Sequence, residues 1–337
     1  MGGGRRGQVV TPRALLAADC GRGVGLGHLE RMLALADALE PDVEVSMLIP
    51  QGDVVIRQRV ADRGHAPLEA AGDTPARVAA VAGASVPFDV VVLDGYVFDV
   101  ALQRRLRDRA PLSVVDDLCL PAACDLAVNP APGGGALRPE GAGAFLGGAA
   151  YALIRESVVE ARELALRHGR EPRTVLVSTG ATDPTDLGRS VSHTLLERDP
   201  VVQVTRVVGP DSLDMDERAL LRERLLEAPP DLADGLATAT VYVGAAGTTA
   251  VQAACVGCPA VITAAVSNQA AQAAALEAAG CAVVVDAANL ADACLALLDD
   301  LPRRMEMAAR GRALVDGCGA ARVADAIRHL VAARAGS

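Results

Sequence analysis

Short apolar runs rich in valine alternate along the chain with longer segments whose apolar residues recur at helical spacing. Most runs are apolar at consecutive positions, which is typical of parallel strands buried on both faces. The pattern therefore predicts an α/β protein built from two Rossmann-like parallel sheets. The runs are RALLAADC, VEVSMLIP, DVVVLD, LSVVDD and LAVNP in the first half, then TVLVSTG, VVQVTRVVG, TVYVGA, PAVITA and CAVVVD in the second.

The chain of 337 residues is long enough for two α/β domains. The first series of strands is expected to end near Pro130, and a glycine-rich stretch and a polar helical segment separate it from the next strand, at Val175. We expect an N-terminal Rossmann-like domain at 1–170 and a C-terminal, nucleotide-binding Rossmann-like domain at 171–337. Ligands of such sheets bind beyond the carboxyl ends of the strands, so we expect a cleft between the domains.

The amino-acid composition limits the classes of molecule that the chain is expected to bind. Hydrophobic residues make up 51% of the chain but aromatic residues only 2%, so the cores are expected to be packed from Ala, Val and Leu. The net charge of −10 and the absence of a basic block disfavour a nucleic acid or an anionic membrane as partner. The uncharged stretch 235–276 is broken by glycines and a proline, and the N-terminus does not resemble a signal peptide. We expect a cytoplasmic protein that binds a small molecule.

The eight cysteines lack the density of a disulfide scaffold. Cys255 and Cys258 have CxxC spacing, but a zinc site would need a second ligand pair, which the sequence does not offer. Two small apolar residues at the end of a buried helix are the favoured explanation. We expect no metal and no cofactor.

A glycine–histidine loop follows the first predicted strand. Gly25, Gly27 and His28 precede a helix whose apolar face is Met32, Leu33, Leu35, Ala36 and Leu39. The glycines allow a ligand to approach the backbone, and a histidine at a helix start in a cleft can act as an acid or base near neutral pH. Glu30 stands where GxGxxG needs its last glycine, which disfavours a dehydrogenase. The alternative is a tight turn with an incidental histidine.

Two loops of small residues in the second half are candidates for holding a diphosphate. One contains Gly244, Gly247, Thr248 and Thr249, and the other, at 178–188, contains Gly180. Backbone N–H groups and hydroxyls at a helix start bind anionic oxygens without a P-loop lysine, and no Walker motif is present. Helix capping by Ser or Thr explains such residues about as well.

Polar side chains also follow other predicted strands. Asn268 and Gln269 begin an alanine-rich helix, where their amides could bind sugar hydroxyls or simply cap the helix. In the first half, carboxylates and one phenol come just past two strands, and capping of the next helix is the alternative for the carboxylates. These residues are Asp94, Tyr96, Asp99, Asp116 and Asp117.

Taken together and in this order, the motifs resemble the UDP-2,4-diacetamido-2,4,6-trideoxy-β-L-altropyranose hydrolases of pseudaminic acid biosynthesis. The resemblance covers about residues 13 to 290 and rests on ADCGRGVGLGHLERMLALADAL, LDGYVFD, VVDDL, CDLAVNP, YALIRE, VLVSTGATDP, GAAGTTAVQAACVGCPAV and SNQ. It implies a GT-B fold and metal-independent hydrolysis of a UDP-sugar at its anomeric carbon. It also implies that His28 activates water, that Asp19, Tyr96, Asn268 and Gln269 bind substrate, and that the loop from Gly244 to Thr249 holds the nucleotide.

The chain departs from this family at two positions. It has Ala17 where the family usually has arginine, and Gln252 where the family usually has a ribose-binding glutamate. These departures point to a paralogue acting on another nucleotide-sugar, with Gln252 still expected at the nucleotide. A GT-B glycosyltransferase, in which His28 deprotonates an acceptor hydroxyl, is the alternative, and a non-catalytic binding protein is a third. The sequence predicts no oligomeric state.

Overall fold

The computed structural model describes residues 11–21, 24–40, 42–83, 88–136, 138–180, 186–208, 223–227 and 231–335. Its first half forms a seven-stranded parallel sheet in the order β3-β2-β1-β4-β5-β6-β7. The strands are β1 Arg13–Ala18, β2 Glu44–Pro50, β3 Ala66–Ala70, β4 Val90–Asp94, β5 Leu112–Val115, β6 Leu126–Asn129 and β7 Ala144–Gly147. The helices are α1 Gly27–Leu39, α2 Val54–Ala61, α3 Thr74–Gly83 and α4 Val100–Arg107.

The second half forms a six-stranded parallel sheet in the order β10-β9-β8-β11-β12-β13. Its strands are β8 Thr174–Ser178, β9 Gln203–Val208, β10 Glu223–Glu227, β11 Val241–Ala245, β12 Ala260–Thr263 and β13 Ala282–Val284. The remaining helices are α5 Glu156–His168, α6 Leu187–Arg198, α7 Ala233–Thr238, α8 Thr248–Val256, α9 Ala270–Ala278, α10 Leu290–Asp299, α11 Leu301–Leu314 and α12 Gly319–Ala335. The predicted pair of Rossmann-like sheets is confirmed.

In both sheets the strand order reverses at the first strand, between β1 and β4 and between β8 and β11. Side chains beyond the carboxyl ends of these strands face the crevice where ligands of open α/β sheets bind. The loops after β1, β4, β11 and β12 therefore hold the candidate site.

Two helices cross between the halves. The α5 helix packs on α7 and α8 of the second half, with Val158 and Ala161 in that core. The last helix, α12, returns to pack on α1, and it buries Val323, Ala324 and Ile327 in the first core. The two sheets are thus joined by packed helices as well as by the linker, and the division at residue 170 stays a prediction.

Both halves are packed mainly from small aliphatic side chains, as the composition predicts. The predicted apolar face of α1, from Met32 to Leu39, is fully buried. Tyr242 is the largest fully buried side chain, and its hydroxyl donates a hydrogen bond of 2.9 Å to the carbonyl of Ser178.

Three strands were absent from the sequence prediction, namely β3, β7 and β10. The first series was expected to end near Pro130, but β7 continues the sheet at Ala144–Gly147 within the glycine-rich stretch. All three strands lie at a sheet edge, where one side is unpaired and burial is incomplete. The β3 strand carries Pro67 and Glu69, so it lacks the continuous apolar run of a central strand.

The predicted nucleotide loop begins later than expected, because Gly244 lies inside β11 and pairs with Ser178 of β8. A Cβ atom at position 244 would lie 1.8 Å from the carbonyl oxygen of Ser178 and 2.6 Å from the hydroxyl of Tyr242. Close strand packing thus explains why this residue is glycine. Only Ala246 and Gly247 separate the strand from α8.

We predict that Gly244→Ala lowers the free energy of unfolding by about 3 kcal/mol or more, because the added methyl group overlaps backbone that cannot move independently. Gly25→Ala is the matched control, since a Cβ there would meet no atom within 4 Å, and it should change stability by less than about 0.5 kcal/mol. Urea unfolding of both variants measures the difference. Equal stabilities would contradict this account of Gly244.

Candidate active site

His28, the second residue of α1, is paired with a buried carboxylate. Its Nδ1 atom lies 2.7 Å from Oδ1 of Asp94, the last residue of β4, whose side chain has no exposed area. Helix α1 follows the loop after β1, and β4 pairs directly with β1. The fold therefore brings together a helix start and a strand end that are 66 positions apart in the sequence.

Arg31 lies one helical turn after His28 and donates hydrogen bonds to both oxygens of the same carboxylate, Asp94. Its Nε donates to Asp94 Oδ2 at 2.9 Å and its Nη2 to Oδ1 at 2.6 Å, while Nη1 donates to Asp117 Oδ2 at 2.6 Å. The guanidinium is buried and bridges the loops after β4 and β5. Its pKa is raised above the ordinary value, because attraction to the two carboxylates exceeds the opposing effect of burial.

Two partners meet His28 at Nδ1, since Asp94 Oδ1 and Arg31 Nη2 both lie 2.7 Å from this nitrogen. Nη2 carries two hydrogens and donates one to Oδ1, so Nδ1 can either donate to the carboxylate or accept the second hydrogen of Nη2. We assign the proton to Nδ1, because the ionised Asp94 can only accept, and this places the lone pair of the neutral ring on Nε2. Nε2 forms no hydrogen bond among the described contacts.

Tyr96, in the loop after β4, contacts both His28 and Asp117. Its hydroxyl donates to Asp117 Oδ1 at 2.5 Å, and its ring meets the His28 ring edge-on, with centroids 5.0 Å apart. Burial and the nearby Asp117 charge raise the pKa of Tyr96, so the phenol stays protonated as a donor. Burial alone would raise the pKa of Asp117, but the charge of Arg31 and the hydrogen bonds from Tyr96 and Arg31 lower it below the ordinary value.

Two residues of the second half contact Tyr96 and Gly27 across the cleft. Asn268 lies in a short 3-10 turn before α9, and its Nδ2 donates to the Tyr96 hydroxyl at 3.4 Å. At Gly27 a Cβ atom would lie 3.0 Å from Oγ1 of Thr248, the first residue of α8. The structure thus brings together seven residues singled out in the sequence, from both halves, namely Gly27, His28, Asp94, Tyr96, Asp117, Thr248 and Asn268.

A crevice that is open to solvent lies between the halves beside these residues. Arg31, Thr248 and Gln272 are its polar lining, and Pro130, Ala131, Ala152, Leu153, Ile154 and Val251 are its apolar lining. Gln272 was missed by the sequence analysis. Its amide donates to the carbonyls of Ala246 and Gly247 at 2.7 and 2.9 Å, which fixes the turn before α8.

Several predicted site residues do not line this space. Asp19 accepts a hydrogen bond of 2.9 Å from Thr74 on α3, and Gly180 is exposed two residues after β8, with φ +113°. The rest of the predicted loop at 181–185, like positions 22 and 23 of the glycine–histidine loop, lies outside the described residues. Of the predicted site residues, Thr248 is in the lining; the others within the described residues are not, namely Asp19, Gly25, Gly27, His28, Tyr96, Gly180, Gly244, Gly247, Thr249, Gln252, Asn268 and Gln269.

These residues have identifiable local surroundings. Thr249 lies near the Tyr242 hydroxyl and lowers its pKa slightly against the larger effect of burial, and Gln252 is buried in the second turn of α8. The Gln269 side chain accepts from the backbone N–H of Ala265 at 3.0 Å. Asp99 caps α4, accepting from the backbone N–H of Leu102 at 2.7 Å, so the capping alternative is confirmed there.

Among the residues that the structure describes, no three histidine, cysteine or carboxylate side chains are grouped as ligands for a metal ion. None of the described helices combines the length and apolar character needed to span a bilayer.

No protein-family model and no curated protein matches the chain. Its fold, however, matches solved structures over nearly their whole length. The glycotransferase of kitacinnamycin has a TM-score of 0.65 at 16% identity, covering 95% of this chain and 99% of the other. The spinosyn rhamnosyltransferase SpnG, complexed with thymidine diphosphate, has a TM-score of 0.65 at 17% identity, covering 94% and 99%. LpCGTa in complex with UDP has a TM-score of 0.67 at 13% identity, covering 96% and 99%.

The fold is GT-B. This confirms the fold that the sequence resemblance implies, whereas at these identities the likeness shows the fold alone. In this GT-B fold, His28 and Asp94 belong to the first half of the chain. Gly27, the residue before His28, lies next to Thr248 at the start of α8 in the second half.

We predict that Asp117→Asn lowers the free energy of unfolding at pH 7 by about 3 kcal/mol, because the variant leaves part of the buried Arg31 charge unpaired. The folded pKa of Asp117 is below the ordinary value of about 4, so its charge stabilises the fold fully above pH 4 and less as the pH falls toward the folded pKa.

The deficit of Asp117→Asn should therefore be smaller at pH 3 than at pH 7, as measured by urea unfolding. Asp62→Asn, at an exposed position after α2, is the control and should cost less than about 0.5 kcal/mol at pH 7. A deficit of the same size at both pH values would contradict the role assigned to the Asp117 charge.

Proposed function

We propose that the chain transfers a glycosyl group from a nucleotide-sugar to an acceptor hydroxyl, with His28 as the general base. The observation that carries this proposal is the way His28 is paired. Its Nδ1 is held by the buried Asp94 and Arg31, while Nε2 has no hydrogen-bond partner among the described contacts. A base placed in this way can take a proton from a ligand without changing its own position.

The proposed grip on the donor belongs to the second half, residues 171–337. Helix α8 begins at Thr248 after Gly247, which has no capping side chain, so the first N–H groups of the helix are available to an anion. The Thr248 hydroxyl lines the space between the halves, and Gln272 holds the preceding turn. A nucleoside diphosphate matches these donors and the positive end of the helix dipole.

The proposed reaction is a displacement at the anomeric carbon. The acceptor oxygen gives its proton to His28 Nε2 and forms the new C–O bond, while the bond from the anomeric carbon to the diphosphate breaks and its electron pair leaves with the nucleoside diphosphate. Asp94 stabilises the imidazolium that forms, and Arg31 keeps Asp94 in place. Hydrogen bonds from the α8 N-terminus stabilise the charge that develops on the leaving group.

Hydrolysis is the second candidate, and the narrow surroundings of His28 favour it. The His28 side chain is only 15% exposed, Tyr96 covers one side of its ring, and Gly27 approaches Thr248 closely. Water would then replace the acceptor hydroxyl, with the same base and donor grip. The sequence resemblance to UDP-sugar hydrolases of pseudaminic acid biosynthesis supports this candidate.

One experiment separates the two. The purified chain is incubated with UDP-, dTDP- and GDP-sugars, with and without small alcohols and phenols, and nucleoside diphosphate release is followed by phosphorus NMR. Release that needs an acceptor supports glycosyl transfer, and release in water alone supports hydrolysis. No release from any donor would contradict both candidates.

We predict that His28→Ala lowers the single-turnover rate by roughly 10²- to 10⁴-fold, which is the usual contribution of a general base. Donor affinity should stay close to that of the unmodified chain, because the proposed diphosphate grip lies on the other half. A variant that keeps its rate, or one that loses stability instead, would contradict the catalytic role of His28. Melting temperature and UDP affinity measured on the same preparation separate these outcomes.

We also predict that Thr248→Val weakens UDP binding by about 10-fold, because the variant keeps the side-chain shape and removes one hydrogen-bonding hydroxyl. Thr238→Val is the control, since Thr238 is exposed at the end of α7 and its hydroxyl bonds only to backbone carbonyls of its own helix among the described contacts. Calorimetric titration with UDP measures both. Equal affinities would remove Thr248 from the proposed grip.

A further inference from the structure

Four exposed apolar side chains lie in the loops around Tyr96. Val97 is 43% exposed, Leu118 42%, Leu120 41% and Val266 54%. We refer to these four residues as the apolar rim. Isolated exposed apolar residues are ordinary, but a group of them beside a cleft marks a binding surface.

The fold places the members of the apolar rim near one another. In the pairing of β4 with β5, Asp94 lies opposite Val115, so Val97 and Leu118 are each three residues beyond a paired position. The hydrogen bond from Tyr96 to Asp117 ties these two loops together.

Contact across the cleft adds the fourth member. Asn268 donates to the Tyr96 hydroxyl, and this contact brings the loop that contains Val266 to the same place. The apolar rim is therefore carried by loops that contain Tyr96 or bind its hydroxyl, and the Tyr96 ring lies 5.0 Å from the His28 ring.

The loop that carries both leucines is held in a fixed shape. The buried Asp116 carboxylate accepts hydrogen bonds from the backbone N–H groups of Leu118 at 2.8 Å and Leu120 at 2.6 Å. Between them Cys119 adopts φ +57°, a conformation that a non-glycine residue takes up only when its surroundings enforce it. The structure thus holds two leucines at the surface instead of letting them fold inward.

The charges beside the apolar rim indicate what it binds. Asp117 lies there with 20% of its side chain exposed, and Arg31 directs three of its nitrogen atoms at Asp117 and the buried Asp94. An anionic ligand would meet the Asp117 carboxylate, and a strongly polar one would lie against leucine and valine. An uncharged apolar molecule is not repelled by the carboxylate and loses no hydrogen bonds to water when it contacts leucine and valine.

We propose that the acceptor is an uncharged, largely apolar alcohol or phenol that lies across the apolar rim with its hydroxyl directed at His28 Nε2. The inference rests on the proposed function, since it names the acceptor class for that same site. It also explains why the apolar side chains are gathered on the loops next to the base. Hydrolysis requires no such surface, because water needs no apolar contact.

The test uses 4-methylumbelliferone, a fluorescent apolar phenol, as probe, with UDP present at saturation. Binding is followed by fluorescence anisotropy for the unmodified chain, for Leu118→Ser/Leu120→Ser, and for the control Leu164→Ser/Leu166→Ser. The control leucines are similarly exposed, at 39% and 53%, but lie on α5. Displacement by geraniol, an apolar alcohol, is compared with displacement by glycerol, a polar one.

We expect saturable binding that geraniol but not glycerol displaces, at least a 10-fold weaker affinity in the Leu118→Ser/Leu120→Ser variant, and an unchanged affinity in the control. Equal weakening in both variants, displacement by glycerol, or no saturable binding would overturn the proposal. Melting temperatures confirm that both variants are folded. UDP binding by the unmodified chain is measured separately, because its absence would count against the proposed function and not only against the apolar rim.

Discussion

The candidate site depends on one buried guanidinium. Arg31 binds both oxygens of Asp94 and one oxygen of Asp117, and so joins α1 to the ends of β4 and β5. A buried charge is tolerated only when it is paired and hydrogen-bonded, and removing one partner of such a pair typically costs about 3–5 kcal/mol. Arg31 therefore fixes the places of both carboxylates, and through them it orients the rings of His28 and Tyr96.

The two halves divide the proposed chemistry. The first half supplies a base held by buried charges, and the second supplies the uncapped start of α8 for an anion. Packing of α5 and α12 between the halves maintains the facing arrangement, and Gly27 allows α1 and α8 to approach closely. Among the described residues, the hydrogen bond from Asn268 to Tyr96 is the polar contact across the cleft that bears on the base. This arrangement suits a cleft that must admit and release its ligands.

Much of this structure could be predicted from the sequence, because its local patterns are strong. Consecutive apolar residues identified the central strands, and the helical spacing of Met32 to Leu39 identified the buried face of α1. Edge strands such as β7 escaped prediction, because they are less buried and carry fewer apolar residues. The position of His28 at a helix start after the first strand also followed from its glycine-rich surroundings.

The partners of His28 could not be predicted in the same way. Arg31 occupies a helix position like that of many surface arginines, and its burial depends on carboxylates 63 and 86 positions away. Asp94 and Asp117 were candidates alongside Asp99 and Asp116, but only the fold separates those that reach the base from those that cap α4 or shape a loop. Gln272 gave no signal at all, because its role is to hold a turn 25 positions earlier.

Asp94, fixed by Arg31, is proposed to hold His28 with the proton on Nδ1 and the lone pair on Nε2. Nitrogen NMR of histidine-labelled protein tests it directly, and His28→Gln assigns the signal among the five histidines. At a pH where the ring is neutral, the account predicts a proton on Nδ1 and a bare Nε2, with that preference lost in Asp94→Ala. A proton on Nε2 in the unmodified chain would contradict the account, because His28 could not then accept a proton from a ligand.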